Sequence, residues 1–250
     1  MEANDYGQIG FDLPHDVVKL PSGGIFYKPK KATLKVGYLT ANDENILMSP
    51  NASKDGLINT LLRNKIYEPN FDVKQLLDGD VQAILLFLRN TAFGSDYNFN
   101  LIDPATNTPF ESTIIFDEVD FLPAKNKPDD EGFFFFTLPK SNKKLKLKLL
   151  TIGEKRELDE LNSKYPQGMV APVITKKLEK HIISIDGEEE RTKIVTFIPQ
   201  MPIADSKALK KFLDDCEPKP DLRRTVIAPS GEKVNVDFTF GVEFFRPFFE

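Results

Sequence analysis

The sequence predicts an α+β fold made of two homologous modules, each with a strand, helices and a closing β-hairpin. Three observations carry that expectation. First, LPSGGIFYKPKKATLKVGYLTANDENIL at 20–47 matches LPKSNKKLKLKLLTIGEKRELDEL at 138–161. Each passes from Leu-Pro and a Ser through a Lys-rich turn into an alternating strand, then reaches Leu-Thr and a helical stretch. Second, two further stretches with apolar residues at helical spacing follow in each copy. Third, each copy closes on a strand, a Pro-containing polar turn and another strand, at 102–123 and at 227–247. The offset between copies is roughly 120 residues. The chain accordingly divides into an N-terminal arm (1–19), a first module (20–123), a linker (124–135) and a second module (136–250).

The elements follow in order. TLKVGYL alternates as a half-buried strand does, and Thr40 with Asp43 has capping-box spacing for the helix after it. In SKDGLINTLLRNKI, residues Leu57, Ile58, Leu61, Leu62 and Ile66 share a helical face. DGDVQAILLFLRN reads as a buried helix behind an acidic start, and YNFNLI, DPATNTP and STIIFDEVDF read as strand, turn and strand. PAKNKPDDEG, rich in Pro, charge and Gly, reads as the linker. FFFFTL places aromatics on both faces of a strand, so both faces should be covered. In NKKLKLKLL the Lys and Leu residues take opposite faces, giving a solvated strand face or a protected edge.

Thr151 and Glu154 form the stronger of the two capping boxes. Val173, Ile174, Leu178 and Ile182 mark one helix, and Ala208, Leu209, Phe212 and Leu213 another. Between them the second copy carries an insertion, IISIDGEEERTKIVTFIPQM, in which IDGEEE marks a turn. RRTVI, APSG and KVNVDFTFGVEFF close the module. Val234, Val236, Phe238 and Phe240 share one strand parity and form the core face, with Asn235, Asp237 and Thr239 outward.

Composition narrows the function. The chain has 250 residues, 40% hydrophobic and 28% charged, with a formal net charge of -5. No global basic field attracts nucleic acid. A single cysteine, Cys216, excludes an internal disulfide framework and fits a reducing compartment. The first residues lack the basic and apolar regions of a signal peptide, and no apolar run approaches a bilayer span. Aromatic usage is lopsided, at 21 Phe, 6 Tyr and no Trp. Phe brings large buried area without a polar group to satisfy, which suits cores and subunit contacts.

Residues with chemical capability are sparse. His15 and His181 lie in unrelated settings, and His181, on a helix face, reads as a surface or boundary residue. Cys216 has Asp214, Asp215 and Glu217 beside it, which disfavours a thiolate. The acid pairs Asp78/Asp80 and Asp214/Asp215 read as solvated helix starts and ends rather than metal ligands. No motif for zinc, phosphate or nucleophilic catalysis is present. We therefore expect no catalytic residue, no metal and no cofactor.

The landmarks LPSGGIFY, LKVGYLTANDENIL, LLDGDVQAILLFLRNTAFGSDYNF, LKLLTIGEKRELDEL, HIISIDGEEE, MPIADSKALKKFLDD and EFFRP run in order from about residue 18 to 247. In this order the chain resembles the T4-like baseplate hub or baseplate assembly proteins of tailed bacteriophages. In many members of that family each hairpin turn is a Cys-containing knuckle suited to half of a zinc site. Here the turns are DPATN (103–107) and APSGE (228–232), without Cys. Asp103 and Thr106, and either Ile227 or Ala228 with Ser230, stand near where the thiolates would be. The resemblance thus implies a degenerate knuckle without zinc, with packing of the Phe-rich strands in its place.

It also implies a virion role in the tail baseplate, assembled in the host cytoplasm beside other baseplate, hub or tail-tube proteins, and no catalysis. An assembly chaperone missing from the finished particle is the alternative. A homo-oligomer is compatible with this reading; nucleic-acid and membrane partners are not expected. The candidate interface anchors are Phe244, Phe245, Phe248 and Phe249 near the C-terminus, and Ile9, Phe11 and Leu13 in the arm. Phe244 and Phe245 have opposite strand parity, so one is expected inward and the other against a neighbour.

Overall fold

The structure is a computed structural model, and it describes residues 14–49, 54–116, 119, 121–166, 170–238 and 244–245. Those residues form an α+β protein of small antiparallel sheets and short helices. In the first half β1 (His15–Lys19) pairs with β2 (Thr33–Gly37), and the helices α1 (Ala41–Leu47), α2 (Lys54–Lys65) and α3 (Asp78–Phe93) follow. The hairpin β3 (Asp96–Ile102) and β4 (Pro109–Ile115) ends this half. β5 (Phe121–Leu122) leads into the second half, where β6 (Phe134–Thr137) pairs with β7 (Lys144–Leu147). Then come α4 (Ile152–Ser163), α5 (Val173–His181), β8 (Ile182–Ile185), α6 (Arg191–Phe197) and α7 (Ile203–Asp214). β9 (Lys219–Pro220) precedes the last hairpin, β10 (Arg223–Ile227) and β11 (Lys233–Asp237).

The two halves repeat contacts as well as elements. Leu34 and Val36 on β2, like Leu145 and Leu147 on β7, are buried on alternate positions. Both strands run through Leu-Thr into a capping box. Asp43 accepts from Thr40 N (2.8 Å) and Oγ1 (2.7 Å), while Thr151 and Glu154 exchange reciprocal bonds of 3.2 and 3.3 Å. The residue closing the next helix returns to the same strand position: Val36 bridges Ile66, and Leu147 pairs with Ile182.

The third residue of the last helix is a fully buried aspartate in each half. Asp80 accepts from Ser22 N (2.9 Å) and Oγ (2.6 Å). Asp205 accepts from Lys140 N (2.7 Å) and Ser141 N (3.0 Å). Each carboxylate therefore joins a helix N-terminus, where negative charge is favoured, to the Leu-Pro loop of its own half. Even the hairpins share a device, since Thr113 donates to Asn98 (2.7 Å) and Thr225 to Asn235 (2.8 Å) across their exposed faces.

Several expectations are corrected by this geometry. The arm does not extend to residue 19, because His15–Lys19 is a paired strand. β7 is central in the β6–β7–β8 sheet, so the Lys/Leu alternation marks a half-solvated interior strand and not an edge. On β6, Phe134 stacks on Phe26 at 6.0 Å and Phe136 on Phe212 at 4.5 Å, but the opposite face stays open. There Phe135 is 63% exposed and the Lys146 ammonium lies 4.1 Å from the Phe133 ring centroid. The inserted segment holds more than a turn: β8 and α6 flank Asp186 and Gly187, whose positive φ values (52° and 87°) make the turn between them.

Two apolar cores form, and each borrows from the other half. The larger collects β1, β2, α2 and α3 with Ile114 and Phe116, but also takes Ile152, Leu222, Val226, Phe238, Phe244 and Phe245. The smaller collects β6–β8, α5 and α7, and takes Leu77 from the first half. The backbone crosses as well. Ile152 N donates to the Leu76 carbonyl at 2.8 Å, and β5 pairs with β9 through Phe121↔Pro220 and Leu122↔Lys219. The segment read as a linker is fastened, with Lys125 N donating to the Asp215 carbonyl at 2.8 Å and Lys30 Nζ to that of Asp130 at 2.8 Å. Gly79 is required at one crossing, because a Cβ there would meet the Pro218 carbonyl oxygen at 2.3 Å.

Candidate functional site

Each closing hairpin alternates an exposed with a half-buried face along its strands, as sequence parity required. Between them lies an aromatic cluster: Phe238 meets Phe99 at 5.1 Å, Phe116 at 5.5 Å and Tyr97 at 5.8 Å, nearly edge-on. Phe244 stacks on Tyr97 at 5.4 Å and meets Phe116 edge-on at 5.5 Å. Beneath them the buried Arg89 donates to the Gly94 and Asp96 carbonyls and lies 5.3 Å from the Phe244 centroid.

This placement corrects the interface expectation for the pair. Phe244 is 2% exposed and Phe245 is fully buried, so neither offers a side-chain surface to a neighbour. The parity argument assumed extended backbone, whereas both residues sit in a turn, where successive side chains do not alternate. Ile9, Phe11, Leu13, Phe248 and Phe249 lie outside the described residues.

The two polar turns meet tip to tip. Asp103, 1% exposed, accepts Ser230 N at 2.9 Å and Ser230 Oγ at 2.7 Å, and its own turn supplies Ala105 N at 2.9 Å. Burial opposes charge on this carboxyl, but the Ser230 hydroxyl and surrounding N–H groups outweigh it and hold its pKa below the usual range. Asn107 (φ 53°) and Gly231 (φ 88°) supply the left-handed corners that let the two turns close. Of the positions compared with thiolates, Asp103 and Ser230 are brought into contact. Among the described residues no group of three or more His, Cys, Asp or Glu could hold a metal ion.

Where the halves join there is an open cleft of about 1270 Å³. At its wall Lys155 pairs with Asp78 and, at 3.4 Å, with Glu217, while Glu217 also accepts Asp78 N at 3.0 Å. Burial lowers the Lys155 pKa, but Glu217 and Asp78 outweigh it and keep the ammonium charged; burial and the Asp78 charge push Glu217 up. Asp214 pairs with Lys219, and Asp215 with Lys125 at 2.7 Å. The acid pairs thus bind lysines and do not merely cap helices in solvent. Asp80 departs furthest from that expectation, being fully buried beneath Ser22 and Tyr27.

His181 also departs from expectation. It is 5% exposed, with Nδ1 donating to the Lys148 carbonyl at 2.8 Å, and burial lowers its pKa to about 4. Cys216 is fully buried, and burial more than the neighbouring Asp215 pushes its thiol up to about 12. The sequence held the acidic neighbours but not the burial that dominates. No helix among the described residues is long and apolar enough to cross a membrane. No family model, curated protein or solved structure matches this chain.

Proposed function

We propose that the chain is a structural, non-catalytic component of a bacteriophage tail baseplate, in the hub region, joining neighbouring tail proteins through protein contacts. The observation that carries this reading is the ordered series of landmarks from LPSGGIFY to EFFRP. The geometry supports the non-catalytic part through how the capable groups are used. Asp80, Asp103 and Asp205 hold backbone N–H groups of distant segments, His181 holds a carbonyl, and the Cys216 thiol is buried with a raised pKa. The contacts repeated between halves support descent from a duplicated module, and the Asp103–Ser230 contact joins the two turns that the resemblance compares with knuckles.

Quantitative mass spectrometry of purified particles tests the reading. A virion component is present at a fixed copy number per tail. Presence in infected-cell lysate, bound to a tail protein but missing from finished tails, would instead identify an assembly chaperone.

A further inference from the structure

The aromatic run FFFF leaves one sheet edge unguarded. Leu138 N donates to the Lys143 carbonyl at 2.9 Å. Antiparallel bonding alternates along a pair of strands, so in the register Phe136↔Leu145 and Phe134↔Leu147 those are the residues bonded across to β7. The backbone groups of Phe135 and Thr137 therefore point away from β7, and both residues are exposed. Edges of this kind are usually blunted by charge, proline or a covering segment. β6 reads FFFT, with no charged residue and no proline. Its approach is covered, since Asp129 N donates to the Phe133 carbonyl at 2.8 Å and the Asp129 carboxylate accepts Phe133 N at 2.8 Å. At the other edge of the sheet Ile185 and Glu188 exchange both backbone bonds at 3.0 Å. Among the described residues no backbone group does the same for Phe135 and Thr137.

The two ends of this edge carry opposite charge. Asp130 and Glu131 precede it and Lys140 follows it; all three are exposed and make no ion pair among the described residues. A strand that is neutral in the middle, acidic before and basic after is complementary to itself run backwards. We propose that β6 pairs antiparallel with β6 of a second copy of this chain, about a two-fold axis at Phe136. Phe135 and the second copy's Thr137 then exchange both backbone bonds, as do Thr137 and the second copy's Phe135, and two three-stranded sheets become one of six. The exposed Phe135 ring packs beside the second copy's Thr137, and each acidic turn meets the other copy's Lys140. Like charges stay apart: Lys146 and the second copy's Lys144, on the flanking β7 strands, are three strand spacings, about 14 Å, from each other. That exceeds the screening length of about 8 Å. The contact is isologous, so it closes at two chains. This stands independently of any tail role.

Sedimentation equilibrium of the full-length protein over a concentration series tests it. Wild type should pass from the mass of one chain to that of two and stop there. Thr137→Pro removes a donor aimed at the open edge, where proline is tolerated, and should hold the protein at one chain. Asp130→Lys with Glu131→Lys should raise the dissociation constant of the pair at least about tenfold, and adding Lys140→Glu should restore it. Circular dichroism of dilute samples, in which association adds no stability, should show every variant folded. If Thr137→Pro unfolds the chain, the charge reversal and its rescue decide alone. Wild type at the mass of one chain throughout, mass that climbs past two chains, or a dimer indifferent to these changes would overturn the proposal.

Discussion

Truncating Phe244 to alanine removes a ring placed by the structure in the first half's core, although it lies near the far end of the sequence. The ring is 2% exposed and touches Tyr97 at 5.4 Å, Phe116 at 5.5 Å and Phe245 at 6.0 Å, with the Arg89 guanidinium 5.3 Å from its centroid. A buried Phe→Ala change costs about 3–5 kcal/mol, from lost transfer energy and the cavity left behind. Aromatic pairs add about 0.5–1.5 kcal/mol each beyond area, which places this site at the upper end of that range. For a chain of this size such a loss lowers the melting temperature by about 10–15 °C. Urea titration followed by far-ultraviolet circular dichroism measures it, with Phe135→Ala as the control. Phe135 is 63% exposed, so its truncation should cost no more than about 0.5 kcal/mol. A Phe244→Ala loss under about 1 kcal/mol, or one equal to that of Phe135→Ala, would refute the core placement. The same burial means that Phe245→Asp reports on folding before it can report on assembly.

Three further outcomes follow from named contacts. His181 is neutral in the fold with its pKa lowered to about 4 from 6.5, so below pH 6.5 the unfolded chain binds a proton that the native state refuses. Its contribution is full above pH 6.5 and is lost as pH falls toward 4, by about 2 kcal/mol at pH 5; denaturation of wild type and His181→Gln from pH 7.5 to 5 should show wild type losing about 2 kcal/mol more than the variant, and parallel slopes would contradict the burial. Gly79→Ala places a Cβ 2.3 Å from the Pro218 carbonyl oxygen and should cost about 1–3 kcal/mol by thermal denaturation, whereas no loss would mean that the seam is looser than described. In a double-mutant cycle, Asp103→Ala and Ser230→Ala should be non-additive, since each removes the same bond between the turns, and additive effects would mean that the turns do not touch.

Much of the fold is legible from periodicity. The Leu faces of β2 and β7, both capping boxes and both hairpin turns fall where short-range patterns put them, because strand parity and helix capping are local. What failed was long-range. Nothing near His181 in sequence says that the Lys148 carbonyl will cover it, and Asp80 looks like an ordinary acidic helix start until Ser22 and Tyr27 arrive from 50 or more residues away. Strand parity puts Phe244 and Phe245 on opposite faces, but they lie in a turn, and both side chains are buried. A module boundary drawn at a Pro-rich, charged segment missed that the last hairpin crosses back to complete the first core. The repeated Leu-Pro landmark, LPS at 20–22 and LPKS at 138–141, could have located Asp80 and Asp205, since the backbone N–H groups of each loop need an acceptor, and the third position of the last helix supplies it in both halves.

The most direct test of the account is a reconstruction of purified phage tails by single-particle cryo-electron microscopy. The account predicts density in the hub region of the baseplate that fits this chain as one interlocked body, with the two hairpin turns in contact, at a fixed copy number per tail. Finished tails lacking that density, from particles that assemble normally, would contradict it.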